Sequence, residues 1–171
     1  SDGVSHQVLR EDFAALYEGK ELPPMRIQYK DFAQWQNSRA QMENIKQQEA
    51  YWLREFEEEI PMLKLPFDFP RPETPHFEGD AVDFGIEKSL LMAAGLIASQ
   101  QGVTMYMMFL ALFNVWLARL CGQEDIVVGT PLVGRRHADL QKIIGIFINT
   151  LALRNYPQGE KTFEEFLDDL R

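Results

Sequence analysis

The sequence predicts a mixed α/β layer structure. Two apolar, β-branched runs, residues 125–130 and 146–153, lie close together and are joined by a loop carrying Gly134, Arg135, Arg136 and His137. Ahead of them Met105–Cys121 is apolar almost all round, the composition of a helix buried among other elements. Helix punctuation agrees, with Thr104 and Thr162 at starts and Gly19, Gly102 and Gly122 at ends. A sheet of about three strands beside so apolar a helix would leave edges and faces uncovered, so the chain is expected to need more protein around it.

In chain order, Val4, Val8, Phe13, Leu16 and Tyr17 mark one face of a first helix over 4–17, which Gly19 stops before Pro23 and Pro24. A second helical region opens at Tyr29, where Phe32, Ala33 and Trp35 form a partly apolar turn and Tyr29 and Trp35 are expected to anchor it. Over 38–59 the residues Met42, Ile45, Trp52, Leu53 and Phe56 recur at helical spacing, predicting one packed face and one wet face. Glu57, Glu58 and Glu59 point in different directions on a helix and read as a solvated end, not a metal site. Pro61, Pro66, Pro70, Pro72 and Pro75 then exclude regular structure, so residues 60–80 form a connector with Leu63, Leu65, Phe67 and Phe69 as possible anchors. Residues 81–86 alternate as a strand, with Val82, Phe84 and Ile86 on one face. Helices follow over 90–101 and Met105–Cys121, then the strand, basic loop and strand. Last comes a helix over 163–170 whose start is a capping box of Thr162 and Glu165.

Composition is that of a soluble globular protein, and a formal charge of −9 without a basic stripe argues against a nucleic-acid surface. Cys121, the only cysteine, permits neither an internal disulfide nor a multi-cysteine metal site, and is expected to be packed. His6, His76 and His137 have no metal-ligand spacing, so no metal is expected. The longest apolar segment is short for a membrane span and contains Asn114 and Arg119; with no signal peptide, a cytoplasmic, reducing location is expected.

On residue chemistry, the basic loop and the polar pair Asn149-Thr150 in an apolar strand allow two readings, the wall of a cleft or a solvated turn beside satisfied polar groups. The segments IGIFINTLALR (144–154) and GTPLVGRRHADL (129–140) resemble the G-x-F-V-N-T-L and G-T-P-x-x-G-R motifs of the condensation domains of nonribosomal peptide synthetases. YKDFAQW (29–35) resembles that family's Y-x-D-[FY]-A-x-W, and Asp2-Gly3-Val4-Ser5 resembles the tail of its H-H-x-x-x-D-G motif.

The resemblance implies a partial chloramphenicol acetyltransferase-like two-layer sandwich, the middle and C-terminal-side part of one condensation domain spanning residues 1–171. It implies amide formation between a carrier-bound acyl or peptidyl thioester and a carrier-bound aminoacyl acceptor, in antibiotic or lipopeptide biosynthesis. The motif histidines would precede Ser1, leaving Asp2 and Gly3 as a structural remnant and no catalytic residue in the chain, which alone would be inactive. His6 follows the motif and is not expected to replace them. Asp2 would pair with Arg135, Arg154 or an upstream arginine, while Arg135, Asn149 and Thr150 would shape or support the substrate tunnel. Partners would be the upstream and downstream peptidyl carrier proteins, the rest of the domain and a neighbouring adenylation domain. No cofactor would be bound, since phosphopantetheine rides on the carriers. An epimerization domain, a related carrier-linked acyltransferase and a non-catalytic interaction module are the alternatives.

Overall fold

The computed structural model describes residues 1–70, 72, 74 and 79–171. His76 and Pro75, singled out above, lie outside them. The chain divides into two compact units, Ser1–Ile60 with Gly129–Ala152, and Pro61–Val128 with Leu153–Arg171.

In the first unit, α1 (Gly3–Tyr17) starts at Asp2, whose side chain accepts from the Ser5 amide as an N-cap. The helix runs where the periodicity placed it, but Val8 is its one buried apolar residue, and Phe13, Leu16 and Tyr17 are exposed. The expected apolar face is therefore covered only toward its start, at Val4 and Val8. α2 (Tyr29–Gln36) opens with a capping box of Gln28 and Asp31, and α3 (Arg39–Glu55) is capped by Ser38. Neither contains a buried residue, so the packed face expected on α3 is not formed: Met42, Ile45 and Leu53 face solvent, with Trp52 and Phe56 half-buried. The core of this unit is instead Leu140, Ile143 and Phe147, against which Ile27 and Phe32 pack.

In the second unit, the connector after Ile60 is tied down by Gln123, whose side chain accepts from the Lys64 amide at 2.8 Å and donates to the Met62 carbonyl at 3.1 Å. Leu63 and Leu65 are half-buried, whereas Phe67 and Phe69 are exposed. Residues 81–86 are not a strand here; they are irregular and exposed. A strand needs a neighbour to take its hydrogen bonds, and none lies beside them among the described residues. α4 (Lys88–Gln100) and α5 (Met105–Cys121) pack together, α5 beginning on the Thr104 hydroxyl and ending at Gly122, whose φ of 64° suits a residue without a Cβ. α5 is not buried all round: Met108, Ala111, Asn114 and Leu117 are, but Phe109, Phe113 and Trp116 face outward. Cys121 is half-buried. α6 (Phe163–Asp169) starts at the capping box expected of Thr162 and Glu165 and adds Phe166 and Leu167 to a core of Ala98, Val103, Met108 and Ala111. Among the described residues no single helix is long and apolar enough to cross a membrane.

The strands β1 (Ile126–Val133) and β2 (Ile148–Asn155) form a two-stranded sheet. Gly129 faces Thr150 and Gly134 bonds to Phe147, so position numbers fall along one strand as they rise along the other, the antiparallel register. β1 continues through Pro131, where the sequence suggested an end. In a two-stranded sheet each strand keeps one open side, and a residue without an N–H can be accommodated there. β2 starts two residues later than expected because Ile146 and Phe147 are engaged elsewhere. The Ile146 carbonyl accepts from Tyr29 Oη, and the Phe147 amide donates to Asp2.

Candidate functional site

The densest buried polar arrangement among the described residues lies in the first unit, where Asp2, Ser5 and Arg135 meet over the backbone of residues 140–147. Three local features build it. The N-cap geometry of α1 points the Asp2 carboxylate inward. Gly134 lets the chain turn close against the Phe147 carbonyl, to which its amide donates at 2.6 Å, before Arg135. Gly145 lies where any side chain would collide with the Tyr29 ring.

The Asp2 carboxylate receives the Ser5 amide at 2.8 Å, Arg135 Nη2 at 3.0 and 3.2 Å and the Phe147 amide at 3.2 Å. The Ser5 hydroxyl has one proton and two acceptors within reach, Asp2 Oδ1 at 2.6 Å and the Gly145 carbonyl at 2.7 Å. Its own oxygen accepts from the Gly145 amide and from Arg135 Nη2, both at 3.0 Å. Arg135 Nη1 donates to the Leu140 and Ile143 carbonyls, and the guanidinium lies 4.0 Å from the centre of the Phe147 ring. Its Nε is buried with no hydrogen-bond partner among the described residues. The ion-paired side chains are 1% and 2% exposed for Arg135 and Asp2, so this pair is held out of water.

Burial alone would raise the pKa of Asp2. The Ser5 hydroxyl, Arg135 and the Ser5 and Phe147 amides outweigh it and hold the carboxyl well below the usual carboxylate range. The unfolded chain therefore binds a proton that the folded one refuses. The clamp's contribution is complete above the unfolded value of about 4 and is lost as pH falls from there toward the depressed native value. Urea melts of wild type and Asp2→Asn should show it: the gap between their midpoints is widest at neutral pH and closes with acidification below about pH 4. A gap independent of pH would mean that the carboxylate's charge contributes nothing.

Of the two arginines considered as partners of Asp2, Arg135 makes the pair. Arg154, in the second unit, instead holds Asp125 through Nε at 3.0 and 3.2 Å and Nη2 at 2.6 Å. Asn149 and Thr150 are exposed on β2, with the Thr150 amide donating to Asn149 Oδ1 at 2.9 Å, and they do not join Arg135. His6 is exposed and meets Ser1 Oγ at 2.9 Å; His137 is exposed and accepts the Asp139 amide, capping the 3-10 turn Ala138–Leu140. Trp35 is largely exposed and packs on Phe32, while Tyr29 and Phe32 carry the aromatic contact to Phe147. Ser5 and Gly145 were not singled out from sequence. An Asp at a helix start with Ser three residues on is the signal that could have found Ser5. Two open concavities, of about 700 Å³ beside Arg119, Lys161 and Phe163 and of about 320 Å³ beside Met25, Ile27 and Lys142, take in none of Arg135, Asn149 or Thr150. Chemically the buried cluster is a clamp. Its carboxylate is neutralised and saturated with donors, which suits it to hold a segment and not to transfer a proton.

The model of the condensation-domain family matches residues 1–171. The chain belongs to the condensation-domain family. Tyrocidine synthase 3 of Brevibacillus parabrevis is 53% identical over the whole chain, and gramicidin S synthase 2 of Aneurinibacillus migulanus 49%; the chain spans 3% and 4% of their lengths. Among solved structures, the X-domain from teicoplanin biosynthesis, determined in complex with OxyB, is 25% identical with a TM-score of 0.89, covering 99% of this chain and 40% of that one. The first condensation domain of the calcium-dependent antibiotic synthetase matches in fold, with 22% identity, a TM-score of 0.66 and coverage of 99% and 38%. The condensation-domain chain thus carries part of a chloramphenicol acetyltransferase-like α/β fold, of the kind found in nonribosomal peptide synthetases.

Proposed function

We propose that this stretch of condensation domain serves an enzyme that forms an amide: the α-amine of a carrier-bound aminoacyl thioester attacks a carrier-bound acyl or peptidyl thioester and the donor thiol leaves. The observation supporting it is the Asp2–Arg135 clamp in the segment that resembles the tail of H-H-x-x-x-D-G. Amide formation needs amine and thioester oriented together and the amine proton removed. In this reading Asp2 and Arg135 are positioning residues. They hold the start of α1 beside 140–147, and with it the backbone next to where the motif places its histidines, upstream of Ser1. Arg135 supports the substrate passage from behind, and Asn149 and Thr150, exposed on β2, shape it. Phosphopantetheine arms of upstream and downstream peptidyl carrier proteins bring both substrates, in an assembly with an adenylation domain.

The test is a single-turnover assay with loaded donor and acceptor carriers. The longer polypeptide containing this chain is expected to form product, to lose most of its rate on Asp2→Ala and to keep it on His6→Ala. The 171-residue chain alone is expected to form none. Product from the isolated chain would overturn the upstream-histidine reading and turn attention to His6 or His137. A second reading, a non-catalytic interaction module, draws on the closer backbone likeness to the X-domain. Binding of a partner by the longer polypeptide with no turnover of any loaded carrier would favour it.

A further inference from the structure

Within the clamp, Ser5 makes a tie that the Asp2–Arg135 ion pair does not. The Asp2 carboxylate reaches Arg135 and the Phe147 amide without help from the Ser5 hydroxyl. The main chain at Asp2 is held differently. Its amide donates to the Gly145 carbonyl at 3.2 Å, and the Gly145 amide donates in return to the Ser5 hydroxyl oxygen at 3.0 Å. This pair of bonds, opposite in direction, locks the first turn of α1 to a single distant residue. Of the two acceptors within reach of the Ser5 proton, the charged one, Asp2 Oδ1 at 2.6 Å, is the stronger, so the hydroxyl also joins the backbone tie to the carboxylate. Ser5 is 1% exposed, and bulk water cannot take the place of its oxygen. Residue 145 is fixed from its other side as well: the Tyr29 ring lies where a side chain of Gly145 would be, and Tyr29 Oη donates to the next carbonyl, that of Ile146, at 3.1 Å.

The bond on the Asp2 amide bears on what comes before it. It sets the plane of the peptide joining Ser1 to Asp2, and with it the direction from which the chain enters α1. In H-H-x-x-x-D-G the second histidine stands four residues before the aspartate. We propose that Ser5 is a positioning residue of the amide-forming reaction, its hydroxyl acting through Gly145 to orient the Asp2 main chain and the motif segment leading into it. This rests on the amide-forming reading above. The ion pair holds the carboxylate; the hydroxyl aims the backbone. A misplacement on the order of 1 Å costs up to about a hundredfold in rate, so a loosened tie is felt in the chemical step and not in carrier binding.

The longer polypeptide containing this chain tests the assignment as wild type, Ser5→Ala and Ser38→Ala. Ser38 also caps a helix through its hydroxyl, which accepts the Gln41 amide, but it is not a clamp residue. Single turnover with loaded carriers separates the rate constant, the amplitude and the carrier concentration giving half the maximal rate. Ser5→Ala is expected to lower the rate constant about tenfold while leaving the amplitude and the half-saturating concentration unchanged. Ser38→Ala is expected to keep the wild-type rate constant. A wild-type rate constant with reduced amplitude in Ser5→Ala overturns the proposal, since the hydroxyl then only keeps protein folded. Equal slowing in both variants overturns it too, as a general consequence of a lost cap. Where Ser5→Ala yields too little folded protein to measure, Ser5→Cys, close in size and a weak hydrogen-bonding group, replaces it with the same expected sign. Amide hydrogen exchange on the same samples reads the tie directly. Exchange at Asp2 and Gly145 is expected to quicken at least about tenfold in Ser5→Ala, while the Phe147 amide, held by the carboxylate, keeps its protection. Unchanged exchange at Asp2 overturns the proposal. Absence of product from wild type is the failure of the catalytic reading, and exchange then decides the tie alone.

Discussion

Asp2→Ala and Arg135→Ala are each expected to cost about 3–5 kcal/mol of folding stability, because either change leaves the other charge buried without its counterion. Against the ordinary range of about 5–15 kcal/mol for a domain of this kind, that is roughly a fifth or more of the whole. The effect is structural before it is catalytic. Arg135 spends its Nη1 donors on the Leu140 and Ile143 carbonyls and its Nη2 donors on Asp2 and Ser5, so its loss also takes a donor from two buried carbonyls and a hydroxyl. The double variant should cost clearly less than the sum of the singles, since the second removal no longer orphans a charge. Arg135→Lys should fall nearer to Arg135→Ala than to wild type, as one ammonium cannot reach carboxylate, hydroxyl and two carbonyls together. Denaturant unfolding of all four proteins decides it. Small and additive losses, under about 1 kcal/mol each, would place the pair among ion pairs of no consequence.

The second large effect belongs to two glycines and is defined by contrast with a third. A Cβ added at Gly134 would lie 2.7 Å from the Phe147 carbonyl oxygen, a backbone atom that cannot turn aside, and it would push apart the hydrogen bond that joins these residues. Gly145→Ala drives a methyl into the face of Tyr29, whose ring also packs edge-on against Phe147. Each is expected to cost about 1–3 kcal/mol, the usual range for overpacking. Gly129→Ala, with its nearest neighbour the Thr150 methyl at 3.5 Å, should be tolerated. A thermal melt separates the cases, and a Gly129 variant as damaged as the other two would show that backbone flexibility, not steric contact, sets the cost.

The parts of this fold legible in the sequence are those decided locally. Asp2, Ser38, Thr104 and Thr162 start helices through bonds from amides three residues on, and such bonds are written in the order of residues. The strand, loop and strand around Arg135 could be read for the same reason. What could not be read is what depends on a partner. The alternation of Val82, Phe84 and Ile86 announces a strand, yet with no pairing neighbour among the described residues it remains irregular. The apolar circumference of Met105–Cys121 announces burial, yet only one side is covered. At the clamp, the residue types allowed Asp2 to pair with either arginine, and only the fold decides between them: Arg154 is bound to Asp125, five residues after the close of α5's apolar run at Leu120. Asn149 and Thr150 drew attention as polar groups in an apolar strand, and the structure places both on an exposed strand surface.

The clamp joins residues separated by 133 and 145 positions in the chain. A ribosome adding about 5–20 residues per second would take roughly seven to thirty seconds from Asp2 to Arg135 and Phe147, its partners in the clamp. Throughout that interval the first turn of α1 is held by its own cap, without the clamp. Fixing the start of α1 thus waits on residues made about 140 positions later, and until then the helix cap must serve without the clamp.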